Sequence, residues 1–115
     1  MSSPRVGMLI GTGPTAMKTS LALSLAKGLC QRGAFVEIFF YGDGLHNTET
    51  GVSVKNIMRD VEQVASMGAS LSVCVNMAKN RGIVANNIAK HVKIESLISF
   101  SSILSDSDCV VAVNP

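Results

Sequence analysis

Cys74 lies in "LSVCVNMAKNRG" (71–82), at the end of an apolar run, and Lys79 and Arg81 follow it. A thiol where a strand gives way to a helix can be a reactive thiolate. A thiol in an apolar run is also commonly a small buried hydrophobe. Alternation along the run puts Ser70, Ser72 and Cys74 on one face, and Leu71, Val73 and Val75 on the other. Small residues on the cysteine's side predict room around the sulfur. A helix start just beyond it would favour an anion. Between Glu62 and Glu95 there is no acidic residue, whereas Lys79, Arg81, Lys90 and Lys93 are present. That positive neighbourhood favours sulfur in its anionic form. Read from the residues alone, reactive thiolate and structural thiol both remain open.

A second chemical candidate is "GTGPTAMKTS" (11–20). A phosphate-binding P-loop needs glycines six and one positions before its Lys-Ser/Thr pair. Thr12 and Met17 stand there instead, so that motif fails. Gly11, Gly13 and Ala16 fit G-x-G-x-x-A, with Asp43 after the next strand where a ribose-binding acid would sit. Pro14 removes one backbone N–H from such a cradle. The plainer reading is a tight strand-to-helix turn with Thr15 capping the helix. Gly11, Thr12, Gly13, Thr15 and Lys18 are kept as an anion-binding loop, because helix starts favour anions.

The remaining groups carry less. Cys30 and Cys109 sit in helical and strand-like contexts and read as structural. His46 and His91 are the only histidines. His46 falls in a loop at Cys74's end of the sheet, where it could act as a base, touch a partner or do nothing. Asp43 and Glu49 are the only acids near that edge, so no metal cluster is expected.

These groups need elements to position them. "RVGMLIG" (5–11) reads as strand one. Residues 15–33 read as a helix, with Met17, Leu21, Leu25 and Leu29 recurring every four positions as its apolar face and Gly33 as its stop. "FVEIFFY" (35–41) is strand two, 42–51 a loop, 53–67 a helix ended by Gly68, and 70–75 strand three. Short helices are expected at 76–80 and 83–89, a brief strand at 92–94, a helix at 95–105 and a last strand at 108–113. Alternating strands and helices predict one α/β domain with a mostly parallel five-stranded sheet, layered like flavodoxin. Ligand sites in such sheets lie beyond the carboxyl ends of the strands. The loops from Thr12, from Gly42 and from Cys74 should meet there.

Composition narrows the function. The chain has 115 residues, a size that suits one domain, and a net charge of +2, too small to imply nucleic-acid binding. It has no Trp and a single Tyr, so no base-stacking platform is evident. No apolar run reaches the ~18 residues of a membrane-spanning helix. The first residues lack a secretory pattern. Three cysteines without close spacing suggest neither disulfides nor zinc, and point to a reducing cytoplasm. With 47% apolar and only 16% charged residues, some apolar surface should be covered by another copy or a paralogue.

Three stretches together resemble the DsrE/TusD family of small sulfurtransferase subunits, TusD-like members most of all. They are "GTGP" after strand one, "FFYGDGLHN" (39–47), and "CVNMAKNRG", where the family's active cysteine is followed after a short helix by Arg-Gly. "SDCVVAV" is similar to the family's final strand. The stretch from Ser99 to Asp106 departs from the family in being short and lacking a glycine. The resemblance implies a DsrE-like, flavodoxin-like three-layer domain over 1–115. It implies trimers or hexamers, homomeric or mixed, and a cytoplasmic sulfur relay with TusA-like carriers as donors or acceptors. The relay would serve tRNA 2-thiolation or oxidative sulfur metabolism. Cys74 would hold the sulfur as a persulfide, supported by Arg81, Lys79, Gly82, His46 and Asn47, without cofactor or metal. The competing expectation is a non-catalytic assembly subunit, or a nucleotide or anion binder using Gly11–Lys18.

Overall fold

The computed structural model of the chain describes residues 3–49, 55–83, 88–89 and 91–115. Five strands form one sheet: β1 (Arg5–Ile10), β2 (Phe35–Phe40), β3 (Ser70–Cys74), β4 (Val92–Glu95) and β5 (Cys109–Val113). Every pairing is parallel and the order is β4-β3-β2-β1-β5. The helices are α1 (Met17–Gln31), α2 (Lys55–Ser66), α3 (Val75–Asn80) and α4 (Leu97–Asp106), with a 3₁₀ helix at Gly42–Thr48.

The order differs from the flavodoxin arrangement, and it assigns the layers. From β1 to β4 each crossover steps the same way; the last one returns across the sheet to β5. Right-handed crossovers therefore put α1 and α2 on one face and α4 on the other. Strand alternation follows suit. Val6, Met8, Ile10, Val36, Ile38, Phe40, Leu71 and Val73 form the core beneath α1 and α2. Phe39, Cys74 and Ile103 form a smaller core beneath α4. Gly7 permits that second layer: a Cβ there would lie 2.7 Å from Ile103 Cγ2 and 2.8 Å from Ser107 Oγ.

Helix α1 turns its other stripe to the sheet. Thr19, Ala22, Leu23 and Ala26 are buried, whereas Met17, Leu21 and Leu25 are 78%, 63% and 46% exposed. Both stripes have helical spacing, so periodicity alone could not choose. Small side chains at 22 and 26 let the helix approach the sheet closely, and the larger residues then face outward. Thr15 does not cap α1. The N-cap is Ala16, without a side-chain bond, and Thr19 Oγ1 instead donates to the Thr12 or Gly13 carbonyl. Gly33 and Gly68, read as helix stops, take left-handed φ of 89° and 101°. The helix expected at 83–89 is not seen at its described ends, where Ile88 bridges antiparallel to Glu49; residues 84–87 lie outside the described set.

Candidate functional site

Loops after β1, β2 and β3 meet at the carboxyl edge of the sheet, as expected. Asn47 Nδ2 donates to the Thr12 carbonyl at 2.9 Å, tying the 3₁₀ helix to the first loop. Arg81 Nη1 donates to Asp43 Oδ1 at 2.9 Å, tying the end of α3 to the same helix. His46 Nδ1 pairs with Glu49. Gly82 ends α3 in a left-handed turn at φ 71°, with its N–H donating to the Lys79 carbonyl. A side chain at 82 would strain that turn and misdirect Arg81 beside it.

Cys74 is the last residue of β3 and the N-cap of α3, with β-region backbone angles of −81° and 130°. Its side chain is 1% exposed and packs with Phe39 and Ile103, against the partly buried Leu9, Tyr41, Met77 and Phe100. The Phe39 and Phe100 rings lie 5.1 Å apart, tilted by 55°. The space expected beside Ser72 and Cys74 is thus largely filled by aromatic and aliphatic groups. What remains on this face is an apolar cavity of about 160 Å³ lined by Leu9, Phe39, Tyr41, Met77 and Phe100. The β2–β3 register, which pairs Phe39 with Ser72, puts Phe39 on the cysteine's face. Nothing in the sequence placed Phe100 there, because that contact depends on the crossover to α4.

The positive surroundings are also less complete than expected. Arg81 is engaged by Asp43, Lys79 is exposed in the last turn of α3, and Lys90 lies outside the described residues. Register sets Glu95 opposite Cys74 and Lys93 opposite Ser72, so the acid that closes the acid-free stretch shares Cys74's rung. Helix α3 spans only Val75–Asn80, too short to project much of a dipole onto the sulfur.

The anion-loop residues form a tied turn. Gly11 N–H donates to the Val113 carbonyl, and Ala16 N–H to that of Gly13. Thr12 and Thr19 share a hydroxyl bond at 2.6 Å, and Lys18 Nζ donates to the Asn114 carbonyl. Thr15 is exposed. Among the described residues no group of three or more His, Cys, Asp or Glu could hold a metal ion. None of their helices is long and apolar enough to cross a membrane. All three cysteines are free: Cys30 half-buried, Cys74 buried, Cys109 exposed. Burial pushes the Cys30 thiol above its ordinary range.

Five parallel strands with helices on both faces make a small α/β domain, and comparison with known proteins places it in a family. The sequence matches the DsrE/DsrF-like family over residues 5–113, and the chain belongs to that family. Its fold is similar to that of the YchN protein from E. coli, at TM-score 0.78 and 17% identity, covering 97% of this chain and 99% of that one. A protein of unknown function from Methanobacterium thermoautotrophicum, MTH1491, matches at TM-score 0.78 and 15% identity over 98% and 100% of the two chains. A third, BT1422 from Bacteroides thetaiotaomicron, matches at 0.77 and 13% over 95% and 94%.

Proposed function

We propose that this chain is a sulfur-relay subunit that carries sulfane sulfur as a persulfide on Cys74. The observation that carries the reading is the position of Cys74 at the carboxyl end of β3, beside an apolar cavity, in a DsrE/DsrF-like domain. The Cys74 thiolate attacks the terminal sulfur of a donor persulfide. A new S–S bond forms on Cys74, the donor's S–S bond breaks, and the donor leaves as a thiolate. Attack by an acceptor thiolate on the same outer sulfur then returns Cys74. Sulfane sulfur moves without net oxidation, and no cofactor enters the balance. Exchange of this kind requires access to the sulfur. Burial of Cys74 therefore requires the cover formed by Met77, Phe100 and α4 to open when a partner docks. Opening of this sort belongs to thinly packed elements.

Assembly fits the same reading. Met17, Leu21 and Leu25 are exposed along α1, and Leu21 and Leu25 line an apolar groove of about 450 Å³ against Ala112 and Val113 of the edge strand β5. Subunits of the same or a paralogous chain would cover this surface, in the trimers or hexamers expected of the family. A cytoplasmic relay with TusA-like carriers follows, feeding tRNA 2-thiolation or sulfur oxidation. Incubation with a persulfide-loaded carrier protein should add one sulfur to the chain, removable by reductant. A Cys74→Ser variant that accepts sulfur as well as the parent defeats the proposal.

One observation favours a second reading. At 1% exposure, Cys74 also suits a non-catalytic subunit whose thiol is a core residue. Nucleotide binding that survives Cys74→Ser but is lost on Gly13→Val would support that reading, with the Gly11–Lys18 loop as the site.

A further inference from the structure

A pocket of about 270 Å³ lies on the opposite side of the sheet from Cys74, between α2 and the segment leading into β4. Asn47 lines it and is 2% exposed. Its Nδ2 is committed to the Thr12 carbonyl, which fixes the amide's orientation and leaves Oδ1 buried with no hydrogen-bond partner. His91 lines the same pocket, and its Nε2 is likewise buried and unpartnered. Each such group costs on the order of 1–3 kcal/mol when left unmade. Asn47 Oδ1 can only accept, and His91 Nε2 accepts when the proton sits on Nδ1, so a ligand that donates hydrogen bonds can satisfy both.

The rest of the lining says which donor. Glu62 and Glu49, the latter also paired with His46, bring two carboxylates, while Met58 and Val61 supply an apolar wall. A metal ion is a poor occupant, since no group of three or more His, Cys, Asp or Glu among the described residues could hold one. A cation with an aliphatic body satisfies both halves of the lining. We propose that this pocket binds a small organic ammonium compound, a short primary alkylamine or diamine. Its N–H groups donate to Asn47 Oδ1 and to a Glu carboxylate. His91 Nε2 accepts in the tautomer that carries its proton on Nδ1. The alkyl stem lies against Met58 and Val61.

Asn47, expected to support Cys74, lines this pocket instead and is absent from the cluster around the cysteine, so the two proposals fail separately. Titration of the intact chain with n-butylammonium, followed by NMR, should give saturable shifts at Asn47, His91 and the facing side of α2. Neutral n-butanol should bind far more weakly. Glu62→Gln and Glu49→Gln should each weaken butylammonium binding by about tenfold, the scale of a lost charge-assisted hydrogen bond. Cys74→Ser should bind as the parent does. The proposal is overturned if butylammonium fails to saturate at millimolar concentration, if butanol binds equally well, or if both glutamine variants bind unchanged.

Discussion

Beneath α1 and α2 the sheet buries Met8, Ile10, Val36, Ile38, Phe40 and Val73 completely, and Leu23 of α1 closes over them. Beneath α4 the buried hydrophobic set among the described residues is Phe39, Cys74 and Ile103, and α4 leaves Ile98 and Leu104 exposed. One sheet thus has a thick face and a thin one, and the proposed sulfur carrier sits on the thin one. The difference teaches where motion is affordable. Opening the thick face would unmake most of the core. Opening the thin face disturbs one helix and a few aromatic contacts, which is the kind of local transition that costs less than global unfolding.

Hollowing each face in turn measures how unequal they are. Phe40→Ala on the thick face should cost about 4 kcal/mol, and Ile103→Ala on the thin face about 2 kcal/mol. Urea unfolding midpoints measure both, and equal losses would mean the faces are not unequal after all. Within α1 the contrast is between neighbours. Leu23→Ala should cost about 3 kcal/mol, while Leu21→Ala should move the dilute chain by less than about 0.5 kcal/mol. The same Leu21→Ala should weaken self-association in analytical ultracentrifugation if the α1 stripe is an assembly surface.

Smaller effects sharpen the picture at the edge of the sheet. Arg81→Gln removes an exposed ion pair to Asp43 and should cost less than about 1 kcal/mol in the same unfolding assay. A marked fall in sulfur transfer with stability kept would give Arg81 a role beyond that pair. The smallest expected effect is at Cys30. Burial raises its folded pKa above the unfolded value, so the folded state favours the thiol. The resulting stability is complete below the unfolded pKa and is lost as pH rises through the folded one. Stability should therefore decline slightly in the alkaline range, and Cys30→Ala should remove that part of the slope.

Much of this architecture is legible in the chain. Strand alternation set Ser72 and Cys74 on one face, and the glycines at 33, 68 and 82 mark helix ends. The meeting of the loops from Thr12, Gly42 and Cys74 followed from the parallel sheet. Three things were hidden for physical reasons. Helix α1 offers two stripes of equal period, and only close packing against the sheet selects the alanine one. Glu95 is far from Cys74 along the chain, and only β3–β4 register sets them on one rung. The burial of Cys74 depends on α4 crossing to the other face, a consequence of strand order that local patterns do not carry.

In the proposed relay the buried thiol on the thin face, and not a more accessible one, carries the sulfur. Peptide mapping by mass spectrometry after exposure to a persulfide-loaded carrier tests it most directly, because Cys109 is exposed and Cys30 half-buried. The added sulfur is expected on the peptide containing Cys74, with Cys30 and Cys109 unmodified. Sulfur on Cys109, with Cys74 left as a free thiol, would contradict it.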